Sequence, residues 1–170
     1  MKTVKIVVLS LLLCLVVFPG FCETIYIYTY EVCSDEPVPT EFQVKEGILD
    51  GLFDAGHIVF DDISDSSHPD LLAGDTIDTL LTTARKGGAY YLLGARIISH
   101  VLSETDKDQI ESTASYYLYD VYSGKLLKEG ITKVDNVKNK NKLSKQLLWF
   151  QLGHYISDEI SRVYENKQKE

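Results

Sequence analysis

Ala89 to Ile98, AYYLLGARII, is an almost continuous apolar run behind the Gly87-Gly88 pair. It is too short to span a bilayer and too uniform for a half-solvated strand. Such runs belong to strands covered on both faces. A strand covered twice needs partners on both sides of a sheet, so the rest of the chain must supply helices for each face.

The flanking patterns supply them. Ile25 to Val32 alternates, with Tyr26, Tyr28 and Tyr30 on one side and Ile25, Ile27 and Thr29 on the other, which predicts a strand. Ser34 to Pro39 carries two prolines and reads as a loop. Thr40 with Gln43 has the spacing of a capping box. The helix it opens is expected to bury Phe42, Leu49, Leu52 and Phe53 on one stripe. Gly47 and Gly51, four apart, cost helix propensity there but permit close backbone approach. Gly56 is a natural stop. His57 to Ile63 predicts a short strand and Ser64 to Gly74 a polar loop. Asp75 is placed to cap a second helix with Ile77, Leu80, Leu81 and Ala84 at i, i+3, i+4 and i+7.

Beyond the central run, which continues to about Ser103, Glu104 to Asp108 is a charged turn. Thr113 to Tyr122 alternates again, Ser123-Gly124 is a hairpin signal, and Leu126 to Val134 returns as the partner strand. Asn136 to Lys142 is a connection without apolar anchors. A last helix from about Leu143 to Glu165 carries Trp149, Leu152, Ile156, Ile160 and Val163 on one face, and the tail from about 166 is expected to fray. The order β-α-β-α-β-β-β-α predicts a single α/β (α+β) domain with a mixed five-stranded sheet and three helices. Its first three strands are joined by crossovers and therefore parallel, and the later hairpins are antiparallel.

The amino terminus constrains location. Lys2 and Lys5 precede an apolar run from Ile6 to Phe18, ended by Pro19-Gly20. As a helix that run reaches about 20 Å, short of a ~30 Å hydrocarbon core. It reads as a secretory signal peptide over residues 1–22, with Gly20 and Cys22 as the small residues of a cut before Glu23. Cys22 also invites lipidation, but that processing wants a small residue where Phe21 stands, so plain cleavage is expected. The expected location is the periplasm, with an outer-membrane lipoprotein as the alternative, and contact with a membrane only if Cys22 is lipidated.

Cleavage removes two of the 17 basic side chains and none of the 25 acidic ones, moving the formal net charge from −8 to −10. So acidic a domain repels phosphate backbones and anionic lipid, so nucleic acid is not an expected partner. Cys33 is then the sole cysteine, suited to a buried thiol at a strand end or to an intermolecular bridge. Neither a disulfide framework nor a Cys-x-x-Cys motif can form. About 148 residues suffice to bury a core without such staples.

Chemistry-bearing constellations are sparse. His57, His68, His100 and His154 are scattered over a strand, a loop, a strand and a helix, and no Gly-x-Ser-x-Gly elbow accompanies them. Asp61, Asp62, Asp65 and Asp70 around His68 offer oxygen ligands, but without the alternating spacing of a calcium loop. Gly87-Gly88 follows a helix, whereas phosphate cradles precede one. No catalytic residue, metal or cofactor is expected. The tyrosines stand out, with Tyr26, Tyr28 and Tyr30 in the first strand and Tyr116, Tyr117, Tyr119 and Tyr122 in a later one. Tyrosine suits strands, and it also suits contact surfaces because a polar tip caps a large ring. Tyr26, Tyr28 and Tyr30 are the candidate binding residues, placed at the edge of the core with hydroxyls toward water.

Three segments resemble a known family. Gly51-Leu52-Phe53-Asp54-Ala55-Gly56-His57-Ile58-Val59 is similar to a helix end running into a second strand. Ala84-Arg85-Lys86-Gly87-Gly88-Ala89-Tyr90-Tyr91-Leu92-Leu93-Gly94-Ala95 is similar to a helix giving way to a central strand that holds a glycine. Tyr119-Asp120-Val121-Tyr122-Ser123-Gly124-Lys125-Leu126-Leu127 is similar to a hairpin of the form Asp, turn, Gly, strand. Together they resemble the periplasmic α/β domain shared by the curli-secretion protein family, the outer-membrane activators of penicillin-binding proteins and the TolB amino-terminal domain. The curli-type membrane-spanning hairpins have no counterpart. The resemblance implies a non-catalytic scaffold that binds an envelope protein partner. A small-ligand or glycan-binding protein using the tyrosine-rich surface is the alternative. A thioredoxin-like sheet has a similar element order, but the missing Cys-x-x-Cys removes its redox chemistry.

Overall fold

A computed structural model describes residues 22–33, 40–61, 70, 75–101, 110–134 and 145–167. The expected signal peptide, up to Phe21, and the expected loop at 34–39 lie outside these residues. So do Asp62, Asp65 and His68, the turn at 104–108, the connection at 136–142 and the last three residues.

Eight elements follow in the predicted order: β1 (Thr24–Cys33), α1 (Thr40–Asp54), β2 (Ile58–Asp61), α2 (Thr76–Lys86), β3 (Tyr91–Val101), β4 (Ile110–Asp120), β5 (Leu126–Lys133) and α3 (Lys145–Lys167). The five strands form one mixed sheet in the order β2-β1-β3-β4-β5. β1 pairs in parallel with both β2 and β3, and the β3–β4 and β4–β5 pairs are antiparallel. The apolar run thus occupies the central strand, as its composition requires.

The two sheet faces are buried by different helices. Ile25, Ile27, Leu93, Ala95 and Ile97 share a core with Val44, Ile48 and Leu52 of α1 and Trp149, Leu152, Ile156 and Ile160 of α3. The opposite face holds Tyr26, Tyr28 and Leu92, covered by Leu80, Leu81 and Ala84 of α2. α1 and α3 cross at glycines. A Cβ on Gly153 would stand 2.2 Å from the Val44 carbonyl oxygen, and one on Gly47 would stand 2.0 Å from that of Phe150. The close approach expected of Gly47 is therefore real, and its partner is the last helix.

That crossing also corrects the expected buried stripe of α1. Val44, Ile48 and Leu52 are fully buried, whereas Phe42 is 57 % and Phe53 69 % exposed. Facing Gly47 toward α3 turns the helix so that the 44–48–52 row meets the sheet, which sends both phenylalanines outward. At α2, Asp75 occupies the cap position, but its side chain makes no capping bond. Its carbonyl instead accepts from the Thr79 amide and hydroxyl, each at 3.1 Å.

The β4–β5 turn is built by Asp120. Its Oδ1 accepts from the Ser123 amide and hydroxyl, each at 2.8 Å, and from the Tyr122 amide at 3.1 Å. A carboxylate that takes three donors inside one turn fixes it without help from the core. No described helix is long and apolar enough to cross a membrane.

Candidate functional site

The proposed tyrosine surface divides. Tyr26 and Tyr28 are 2 % and 5 % exposed, in contact with the α2 layer rather than with water. The expectation of hydroxyls at an open core edge is corrected for these two. Alternation separates the two faces of a strand, but both faces of β1 turn out to be covered. Tyr26 packs on Phe60 with ring centroids 5.3 Å apart. Only Tyr30 of the three is half-buried, along with Tyr117 and Tyr119 of β4. Burial first, then Tyr117 and the Glu129 carboxylate, hold the Tyr119 hydroxyl's pKa above its ordinary value. These groups therefore lie close together on the α2 face toward β5.

The two described carboxylates of the acidic segment, Asp61 and Asp70, do not meet. Asp61 pairs with Lys45 of α1 at 2.9 Å, and Asp70 takes a two-pronged bond from Arg96 of β3 at 3.1 and 3.3 Å. The two carboxylates thus serve opposite faces of the sheet. Among the described residues, no group of three or more His, Cys, Asp or Glu side chains is arranged to hold a metal ion.

Two histidines have defined surroundings. His57 is buried, its ring 4.9 Å from that of Tyr164, with Nδ1 unpartnered, and burial lowers its pKa. Tyr164 also lies 4.9 Å from Tyr91, and burial pushes its hydroxyl's pKa far upward. His154 on α3 is held by Asp50 of α1, Nε2 to Oδ2 at 3.0 Å, and by the Phe150 ring at 4.9 Å. The Asp50–His154 pair has the form of an oriented base. The neighbouring Ser157 hydroxyl, however, belongs to a residue 1 % exposed and donates to the His154 carbonyl at 2.7 Å. It is spent on the backbone rather than poised for attack.

The surface that sequence reasoning missed begins beside that pair. Leu49 and Phe53 of α1, Val59 of β2 and Phe150 of α3 line an open groove of about 300 Å³, rimmed by Glu46 and Asp50. Glu46, Leu49, Asp50 and Phe53 share one helical face at i, i+3, i+4 and i+7. Phe53 projects from the end of this face, while Ile58 of the adjoining edge strand, 54 % exposed, lies on the opposite, α2 side of the sheet. β2 is an outer strand, so its far edge has no partner strand among the described residues. Aromatic and aliphatic walls, two carboxylates and an open strand edge can take an extended or helical segment that carries apolar and basic side chains. The available signal was the phenylalanine itself, one position off the apolar row, read as core because no pattern in α1 reveals where α3 lies.

No protein-family model matches the chain, and no curated protein matches it by sequence. Solved structures do match. PelC from Paraburkholderia phytofirmans, solved as a dodecamer, aligns at 14 % identity over 84 % of this chain and 86 % of that one, with a TM-score of 0.53. The hypothetical protein CT253 from Chlamydia trachomatis aligns at 10 % identity over 82 % of this chain and 95 % of its own, with a TM-score of 0.50. TolB from Acinetobacter baumannii aligns at 17 % identity over 84 % of this chain and 28 % of its own, with a TM-score of 0.44. At these identities the first two likenesses are ones of fold alone.

Proposed function

We propose that this chain is an exported, non-catalytic protein-interaction module of the bacterial cell envelope. The observation that carries it is the acidic-lined apolar groove, where Phe53, 69 % exposed, stands beside β2, an outer strand whose far edge has no partner strand among the described residues. Large aromatic side chains left in water next to an unpaired strand edge are costly unless a partner covers them. Export is supported by the Lys2/Lys5 and Ile6–Phe18 pattern of the leader. PelC, which shares the fold, is a dodecamer, which supports a use of this fold in protein–protein assembly.

The partner is an envelope protein offering an apolar segment with basic residues to meet Glu46 and Asp50. The test is co-purification from envelope extracts with the wild-type chain and with Phe53→Glu, followed by affinity measurement on the identified partner. An aromatic anchor carries about 2 kcal/mol or more, so the variant should weaken binding roughly 30-fold or more with its melting temperature unchanged. Equal affinity for wild type and variant would remove the groove from the function.

A further inference from the structure

We propose that the end of the sheet at which the chain enters the domain is a membrane-contacting face, fitted to the surface of a zwitterionic bilayer. The groove lies on the α1–α3 side of the sheet, so the two surfaces are separate.

The face is a row of four side chains. Ile58, Tyr90, Tyr122 and Leu126 are 37 to 60 % exposed. Strand register and hydrogen bonds set them at one level. Ile58 is level with Thr24, whose carbonyl accepts from the Tyr90 amide at 2.8 Å. The Tyr90 carbonyl accepts in turn from the Val121 amide at 2.9 Å, and the Tyr90 and Tyr122 rings lie 5.9 Å apart. Leu126 opposes Tyr119, next to Asp120, the partner of Tyr91. The row thus runs from one outer strand to the other, about 19 Å at the usual strand spacing.

This row extends past its cover. α2 stops at Lys86, and Gly87 passes over Phe60, where a Cβ would stand 2.8 Å from Cζ of the ring. Ile58 is two residues farther toward the end, about 7 Å beyond that crossing. The tyrosines are held firmly in this position. Asp120 fixes the turn that carries Tyr122, and the Arg85 guanidinium donates to the Val121 carbonyl at 2.6 Å. A preset row loses little freedom when it is covered.

Width, chemistry, charge and chain path name the occupant. A row about 19 Å long is covered at once only by a broad surface. Tyrosine, an apolar ring with a polar tip, is the side chain that bilayers take at headgroup level. Arg85, Lys86 and Lys125 at this end formally balance Glu23, Asp54 and Asp120, in a chain of net charge −8. This end therefore meets neutral headgroups without a net charge of its own, and lysine stems can lie along the surface with their ammonium groups in water. Finally, the Glu23 carbonyl accepts from the Ile58 amide at 3.0 Å, and Cys22 before it is exposed, so the chain enters the domain at this row. The apolar run Ile6–Phe18 lies just upstream, and a membrane that receives that run during export meets this end of the domain first.

The experiment places a tryptophan reporter at either end of the chain as the cell exports it. Tyr122→Trp lies in the row, and Phe42→Trp lies near the start of α1, at the opposite end of the sheet. Vesicles of phosphatidylcholine with brominated acyl chains quench only an indole that reaches them. Trp149, the single tryptophan of the wild-type chain, is buried, and its signal is subtracted. Emission of Tyr122→Trp should fall about twofold at millimolar lipid, while that of Phe42→Trp stays constant. Adding Tyr90→Asp should cut the quenched fraction severalfold at the same lipid concentration, with the melting temperature unchanged. Leu126→Asp takes its place if that variant does not fold. Because quenching is read at the row, it reports the face whether or not a lipid on Cys22 also tethers the chain. An unquenched Tyr122→Trp overturns the inference. So does equal quenching at the two ends, or quenching that survives the added aspartate.

Discussion

Replacing Gly153 with alanine tests whether the α1–α3 crossing organises the larger core. A Cβ there would stand 2.2 Å from the Val44 carbonyl oxygen, 2.7 Å from the Ile48 nitrogen and 2.9 Å from the Gly47 carbonyl carbon. All three are backbone atoms, so no side chain can swing aside. Restoring ordinary contact requires the helices to part by about 1 Å, and a gap of that size forfeits a quarter to a half of each dispersion well along the seam. The seam includes Val44, Ile48, Leu52, Leu152 and Ile156, all 0 % exposed. Overpacking against rigid neighbours costs about 3 kcal/mol, the upper part of the usual range. Alanine returns about 1 kcal/mol through helix propensity. The net expectation is a loss of about 2 kcal/mol, or a urea midpoint lower by roughly 1 M at an unchanged slope. Gly47→Ala opens the same crossing, so the double variant should lose clearly less than the sum of the singles. A Gly153→Ala midpoint equal to or above wild type is what propensity alone gives, and it would refute the close crossing.

Tyr28→Ala should lower stability by about 3–5 kcal/mol as a core truncation, read as a fall in denaturant midpoint; an unchanged midpoint would restore Tyr28 to an exposed contact surface. His57, buried with its pKa lowered, binds fewer protons folded than unfolded, so its contribution is complete above the unfolded value of 6.5 and declines as pH falls below it, at no more than about 1.4 kcal/mol per pH unit. The melting temperature should therefore drop more between pH 7 and pH 5 for wild type than for His57→Phe, and equal drops would show that His57 is not the titrating group.

Periodicity is local, and what depends on it was legible in the chain. The apolar run at 89–98 had to be central, and it is the third of five strands. The 77–80–81–84 row of α2 and the 149–152–156–160 row of α3 meet the sheet as their spacing requires. Gly56 and Gly88 stop their helices at φ +87° and +79°, a conformation that other residues resist. Asp120 carries its turn within four residues.

Tertiary structure decided the matters on which the candidate surface depends. Alternation in β1 separates tyrosines from isoleucines, but whether a face meets water depends on what lies over it. An 11-residue helix far along the chain covers Tyr26 and Tyr28. In α1 the same limit acted in reverse, since Phe42 and Phe53 are as apolar as Val44 and Ile48. Only the approach of α3 to Gly47 selects which row is buried and leaves Phe53 in the groove. Which strands lie at the edges is equally a property of the assembled sheet. Propensity and spacing fix what a segment can become, and burial is a relation between segments that exists only once they have met.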